Sequence, residues 1–99
     1  MSDSIVHVTI RGRVQGVGYR AWVEHQALAS GLEGWVRNRR DGSVEAVFAG
    51  PEQVVANMLT RCRRGPPSAR VDAVTEEPAG SEQLGMREPG ESFSVLGTV

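Results

Sequence analysis

Lysine is absent from this 99-residue chain, and all 11 basic residues are arginine. That excludes Schiff-base chemistry and any phosphate-binding loop of the Walker type, which needs its lysine. Cysteine occurs once, as Cys62, so neither an internal disulfide framework nor a cysteine-built metal site is available. Histidine occurs twice, as His7 and His25, without acidic neighbours at ligand spacing, and no metal site is expected. No apolar run is long enough to cross a membrane. The start, Met1-Ser2-Asp3-Ser4, has neither the basic region nor the apolar stretch of a secretory signal. A net charge of −1 argues against a general affinity for nucleic acid. These absences point to a cytoplasmic protein with no membrane or nucleic-acid partner. A length of 99 residues suits one domain, residues 1–99, able to bury its own core, and a monomer is expected.

Charge is unevenly spread. Arg11, Arg13, Arg20, Arg37, Arg39 and Arg40 face only Glu24 and Glu33 in the same stretch, while acids gather after Asp72. This reads either as an uneven solvated surface or as an anion-attracting end of the molecule.

Strict alternation in "IVHVTIRGRV" puts Val6, Val8 and Ile10 on one face and His7, Thr9 and Arg11 on the other, a half-buried strand. "YRAWVEHQALAS" follows with helical spacing of Tyr19, Trp22, Val23 and Ala27, and Gly31 supplies a left-handed stop. "EGWVRN" and "SVEAVFAG" are short strands joined by "RRDG", whose Asp41-Gly42 pair is a strong hairpin signal. "GPEQVVANMLTRCRRG" is a second helix, with Pro51 at its start and Val54, Val55, Met58, Leu59 and Cys62 as its apolar stripe. "ARVDAVTEE" makes a fourth strand, residues 78–92 read as an exposed loop, and "FSVL" is a candidate final strand.

The order β-α-β-β-α-β predicts an α+β, ferredoxin-like two-layer sandwich, with an antiparallel sheet and two helices on one face. In that topology the first two strands run parallel with the third between them. Their C-terminal ends share one sheet edge. The glycine-rich turn "GRVQGVGYR" follows the first strand, and Asn38 ends the second, so distant residues converge there.

A turn entering a helix leaves several backbone N–H groups without partners, and the helix dipole adds positive potential. Gly16 and Gly18 permit φ values that let successive N–H groups converge on an anion. Arg20, in the first helical turn, adds a planar fork of donors. Plain turn geometry explains the glycines equally well.

Together, "GRVQGVGYR" and "GWVRNRRDGSVEAVFAG" resemble the acylphosphatase family, hydrolases of carboxyl-phosphate anhydrides, over about Val6 to Val74. The family's fold is the ferredoxin-like sandwich reached above. The resemblance implies that Arg20 binds the substrate phosphate and that the backbone amides of Gln15, Gly16, Val17, Gly18 and Tyr19 surround it. It implies that Asn38 orients the attacking water, that no metal or other cofactor takes part, and that the partner is a small acyl phosphate. Tyr19 stands where the family more often has phenylalanine. The stretch after Glu77 is longer than usual, and the ending "GTV" lacks the family's common arginine-plus-aromatic finish.

Two other functions suit the same fold. One is a non-catalytic acylphosphatase-like binding or regulatory module. The other is an RNA-binding domain, against which the sheet face of His7, Thr9, Arg11, Glu45, Val47 and Ala49 offers no paired aromatics. His25 and His7 read as surface or structural residues, Cys62 as a buried small hydrophobe, and Trp22 and Trp35 as packing residues, with stacking by Trp35 left open. Arg61, Arg63 and Arg64 complement a helix C-terminus.

Overall fold

The computed structural model describes residues 3–99; Met1 and Ser2, with which the reading of the N-terminal segment begins, lie outside it. The alternating segment becomes β1 (Asp3–Arg13), whose Val8 and Ile10 are fully buried. It is followed by α1 (Tyr19–Ala29), β2 (Glu33–Asn38), β3 (Val44–Pro51), α2 (Glu52–Arg64) and β4 (Arg70–Pro78). A single turn, α3 (Ser81–Leu84), and a short strand, β5 (Phe93–Val95), complete the chain.

β3 is central. It pairs antiparallel with β1 on one side and with β2 on the other, so β1 and β2 point the same way. The sheet order is β4-β1-β3-β2-β5. The register puts Val44 opposite both Ile10 and Asn38, which carries the end of β2 to the edge where β1 delivers the glycine turn. The hairpin between β2 and β3 forms as expected, but not by a two-residue primed turn. The Gly42 N–H donates to the Arg39 carbonyl at 3.1 Å across Arg40 and Asp41, and Gly42 alone takes a positive φ, 94°. Asp41 Oδ1 accepts from the Ser43 N–H at 2.9 Å and hydroxyl at 2.6 Å.

Both long helices cover one sheet face. α1 lies against β2 and β5, and α2 against β1, β3 and β4. Tyr19, Val23 and Ala27 from α1 meet Val55, Met58, Leu59 and Cys62 from α2 over Val8, Ile10, Val36, Ala46 and Phe48. The Tyr19 hydroxyl, the group that phenylalanine would lack, donates to the Cys62 carbonyl at 2.8 Å and ties the start of α1 to the last turn of α2. Burial pushes the Cys62 thiol up to about 12, against the lowering effects of Tyr19 and Arg63, so the thiol stays protonated and unreactive.

Two features differ from expectation. The sheet has five strands and is mixed, because β5 joins β2 in parallel. Phe93 secures it by stacking on Phe48, with ring centroids 5.9 Å apart. The stretch after β4 is also more than an exposed loop. α3 packs against β2 and β3, and the Gln83 carbonyl accepts from the Trp35 indole N–H at 2.6 Å. With 1% exposure and the Arg37 guanidinium 4.8 Å from its ring centroid, Trp35 has no open face for a base to stack on.

On that same sheet face Glu45, only 7% exposed, gathers His7 Nε2 at 2.5 Å, Arg37 Nε at 2.7 Å and an Arg39 terminal nitrogen at 3.1 Å. Burial would push its carboxyl up, but hydrogen bonds from His7, Arg37 and Arg39 and the Arg37 charge outweigh it and hold the carboxyl below its ordinary value. A carboxyl with a lowered folded-state pKa stabilises the fold above its unfolded pKa, and that contribution disappears as pH falls through the folded value. Glu45→Gln should therefore cost about 2–3 kcal/mol at neutral pH. The gap to the parent, read by urea unfolding, should close below about pH 4. An unchanged gap in acid would contradict this.

Candidate active site

β1 ends at Arg13, and α1 does not begin until Tyr19. Between them the chain must reverse direction and deliver a helix N-terminus back over the sheet. Gly16 and Gly18 take φ 73° and 80°, left-handed values that side-chain-bearing residues adopt at a cost. Gly18 is the N-cap of α1 and brings no side chain to the helix end. Among the described residues, no acceptor takes the main-chain N–H of any residue from Gln15 to Ala21. A run of free donors at the positive end of a helix is a cradle for an anion.

The loop is held from two sides. The Gln15 side-chain amide donates to the Arg39 carbonyl at 2.6 Å and to the Ser43 carbonyl at 2.8 Å. The Ser68 hydroxyl donates to the Val17 carbonyl at 2.9 Å. Gln15 thus fastens the glycine turn to the residue that follows Asn38.

Gly16, Gly18, Tyr19, Arg20 and Asn38 line one concavity of about 470 Å³, with Val14, Ala21, Glu24 and Val95 completing the wall. Arg20 is half-buried and forms no ion pair with a described acid. Asn38 Oδ1 is buried and has no hydrogen-bond partner among the described residues. A buried oxygen without a partner costs stability, and Asn38 is one of the residues that line the concavity.

Of the predicted site residues, Gln15 and Val17 lie beside this wall and do not line it; the Gln15 side chain turns to the hairpin instead. The anion-attracting end is narrower than the count of arginines implies. Arg11 pairs with Asp41, and Arg37 and Arg39 with Glu45. His25 is exposed and does not line the concavity, and His7 is engaged by Glu45 and Glu77 on the other sheet face. Val14, Ala21, Glu24 and Val95 line the concavity without being among the site residues the sequence implies. Glu24 stands four residues after Arg20, a spacing that could have revealed it. Val95 reaches the site only through the parallel docking of β5, for which no local signal exists.

Fold and site together define a ferredoxin-like α+β protein with a run of unpartnered amides at a helix N-terminus, at the edge to which β1 and β2 deliver their ends. Residues 6–88 match the sequence model of the family described as Acylphosphatase. A protein named Acylphosphatase from Bradyrhizobium diazoefficiens is 70% identical over 99 residues, all of both chains. Among solved structures, an acylphosphatase from Coxiella burnetii superposes with a TM-score of 0.81 at 33% identity, covering 95% of this chain and 93% of its own. Acylphosphatase from Bacillus subtilis gives 0.75 at 34% identity, covering 93% and 97%. This chain belongs to the acylphosphatase family of hydrolases.

Proposed function

We propose that the protein hydrolyses the carboxyl-phosphate bond of small acyl phosphates to a carboxylate and inorganic phosphate, without a metal or cofactor. The observation that carries this reading is that Asn38, whose Oδ1 has no partner among the described residues, lines one concavity with the glycine turn of unpartnered amides and with an unpaired guanidinium.

The chemistry asks for little more. The leaving carboxylate has a conjugate acid of pKa about 4 and departs without a general acid. Phosphoryl transfer with loose bonding to the entering group needs no strong base. What remains is to hold the phosphoryl oxygens, neutralise their charge and place one water in line. The cradle from Gln15 to Tyr19 and the Arg20 fork hold and neutralise; Gly16, Gly18 and Tyr19 are the members that line the wall. Asn38 accepts from the water through Oδ1 while its NH₂ donates to a phosphoryl oxygen. Water adds to phosphorus, the P–O bond to the acyl oxygen breaks with its electron pair leaving on the carboxylate, and the water's proton is lost to solvent.

Gln15 supports the reading by fixing the cradle relative to β2, so that donors need not reorganise when charge develops. The protein's own buried core supports action as a monomer, and its single unpaired thiol fits a cytoplasmic setting.

Benzoyl phosphate, followed by its ultraviolet absorbance, separates the catalyst from a non-catalytic module of the same shape. Steady release of benzoate and phosphate is expected, unaffected by a chelator. Binding of phosphate without turnover would leave only the module.

A further inference from the structure

The wall of the concavity carries a carboxylate that the mechanism does not use. Glu24 is the acidic residue among those lining it, and it is half-buried. It follows Arg20 on α1 at the i,i+4 spacing that sets both side chains on one helix face, about 6 Å apart along the axis. Yet no ion pair joins it to Arg20 or to any other described base. Apart from Arg20, the other residues lining the concavity carry no charge.

On the reading above, the phosphoryl group sits at the N-terminus of α1, against the glycine turn and Arg20. The acyl half extends away from that end, and beyond Arg20 the one charged residue lining the concavity is Glu24. We infer that Glu24 sets the charge preference of the acyl group: neutral or cationic acyl chains are accepted, and acyl chains bearing a second anionic group are disfavoured. This rests on the acyl phosphate reading of the site. Like charges brought to a separation on the order of 8 Å near a protein surface repel by an amount equivalent to about 5- to 30-fold in kcat/KM. Any repulsion between Glu24 and the phosphoryl group is common to every substrate and cancels in a ratio of two substrates.

The test is kcat/KM for benzoyl phosphate and 4-carboxybenzoyl phosphate, which differ in charge at the far end of the ring, measured at low and high salt. The parent should favour benzoyl phosphate by about 5- to 30-fold at low salt, and by less at high salt. Glu24→Gln should bring the ratio near unity at both, with an unchanged urea midpoint showing that the fold is intact. An equal ratio in parent and variant overturns the inference. So does an equal loss on both substrates, which would make Glu24 a residue that positions Arg20. If the parent hydrolyses neither compound, the acyl phosphate reading itself falls, and this inference with it.

Discussion

Arg20→Ala is expected to lower kcat/KM for benzoyl phosphate by about 10³–10⁵-fold, the scale on which an arginine supports a transferring phosphoryl group. Its guanidinium is the cation lining the concavity, and no described acid neutralises it. Removing it should weaken ground-state binding as well as the chemical step, so KM should rise while kcat falls. Stability should stay within about 0.5 kcal/mol of the parent, because the side chain contributes no ion pair to the fold. Arg20→Lys should recover only part of the loss: it restores a charge but not a planar fork of donors. Parent-like rates from Arg20→Ala would remove the phosphate site from this edge of the sheet.

Asn38→Ala should act differently. Its expected cost is about 10²–10³-fold in kcat, the loss typical of one positioning group, with KM changed by less than about threefold. The fold should be no weaker and could gain slightly, because the variant removes a buried oxygen that has no partner. A loss of activity without a loss of stability is the mark of a group retained for function. A stability loss of several kcal/mol with unchanged kcat would instead make Asn38 a structural residue.

The readable parts of this molecule are those encoded locally. Alternation over Val6, Val8 and Ile10, the Asp41-Gly42 turn and the apolar stripe ending at Cys62 each carry their own geometric signal, and the elements follow from them. Topology then does what no local pattern can, by bringing Gly16, Gly18 and Arg20 to the same edge as Asn38. The less readable parts are pairings between distant residues. β5 docks parallel to β2 after a long connection, and α3 closes over Trp35 with a main-chain carbonyl, which any residue type could have supplied. Glu45 collects His7, Arg37 and Arg39 from two neighbouring strands and its own hairpin, and so turns two of the clustered arginines into structure. The resemblance implies a role only for the Gln15 backbone; its side chain is the tie between the two halves of the site.

The central claim is that the loop amides and Arg20 face Asn38 across a space that takes a phosphoryl group. Titration of ¹⁵N-labelled protein with inorganic phosphate tests it residue by residue. The amide signals of Gly16, Gly18, Tyr19 and Arg20 and the Asn38 side-chain NH₂ should move on one common isotherm, with an apparent Kd matching the inhibition constant of phosphate in the benzoyl phosphate assay. Signals of His7 and Glu45, on the opposite sheet face, should stay still. Shifts centred on that opposite face, or a silent glycine turn at phosphate concentrations that inhibit turnover, would contradict the account.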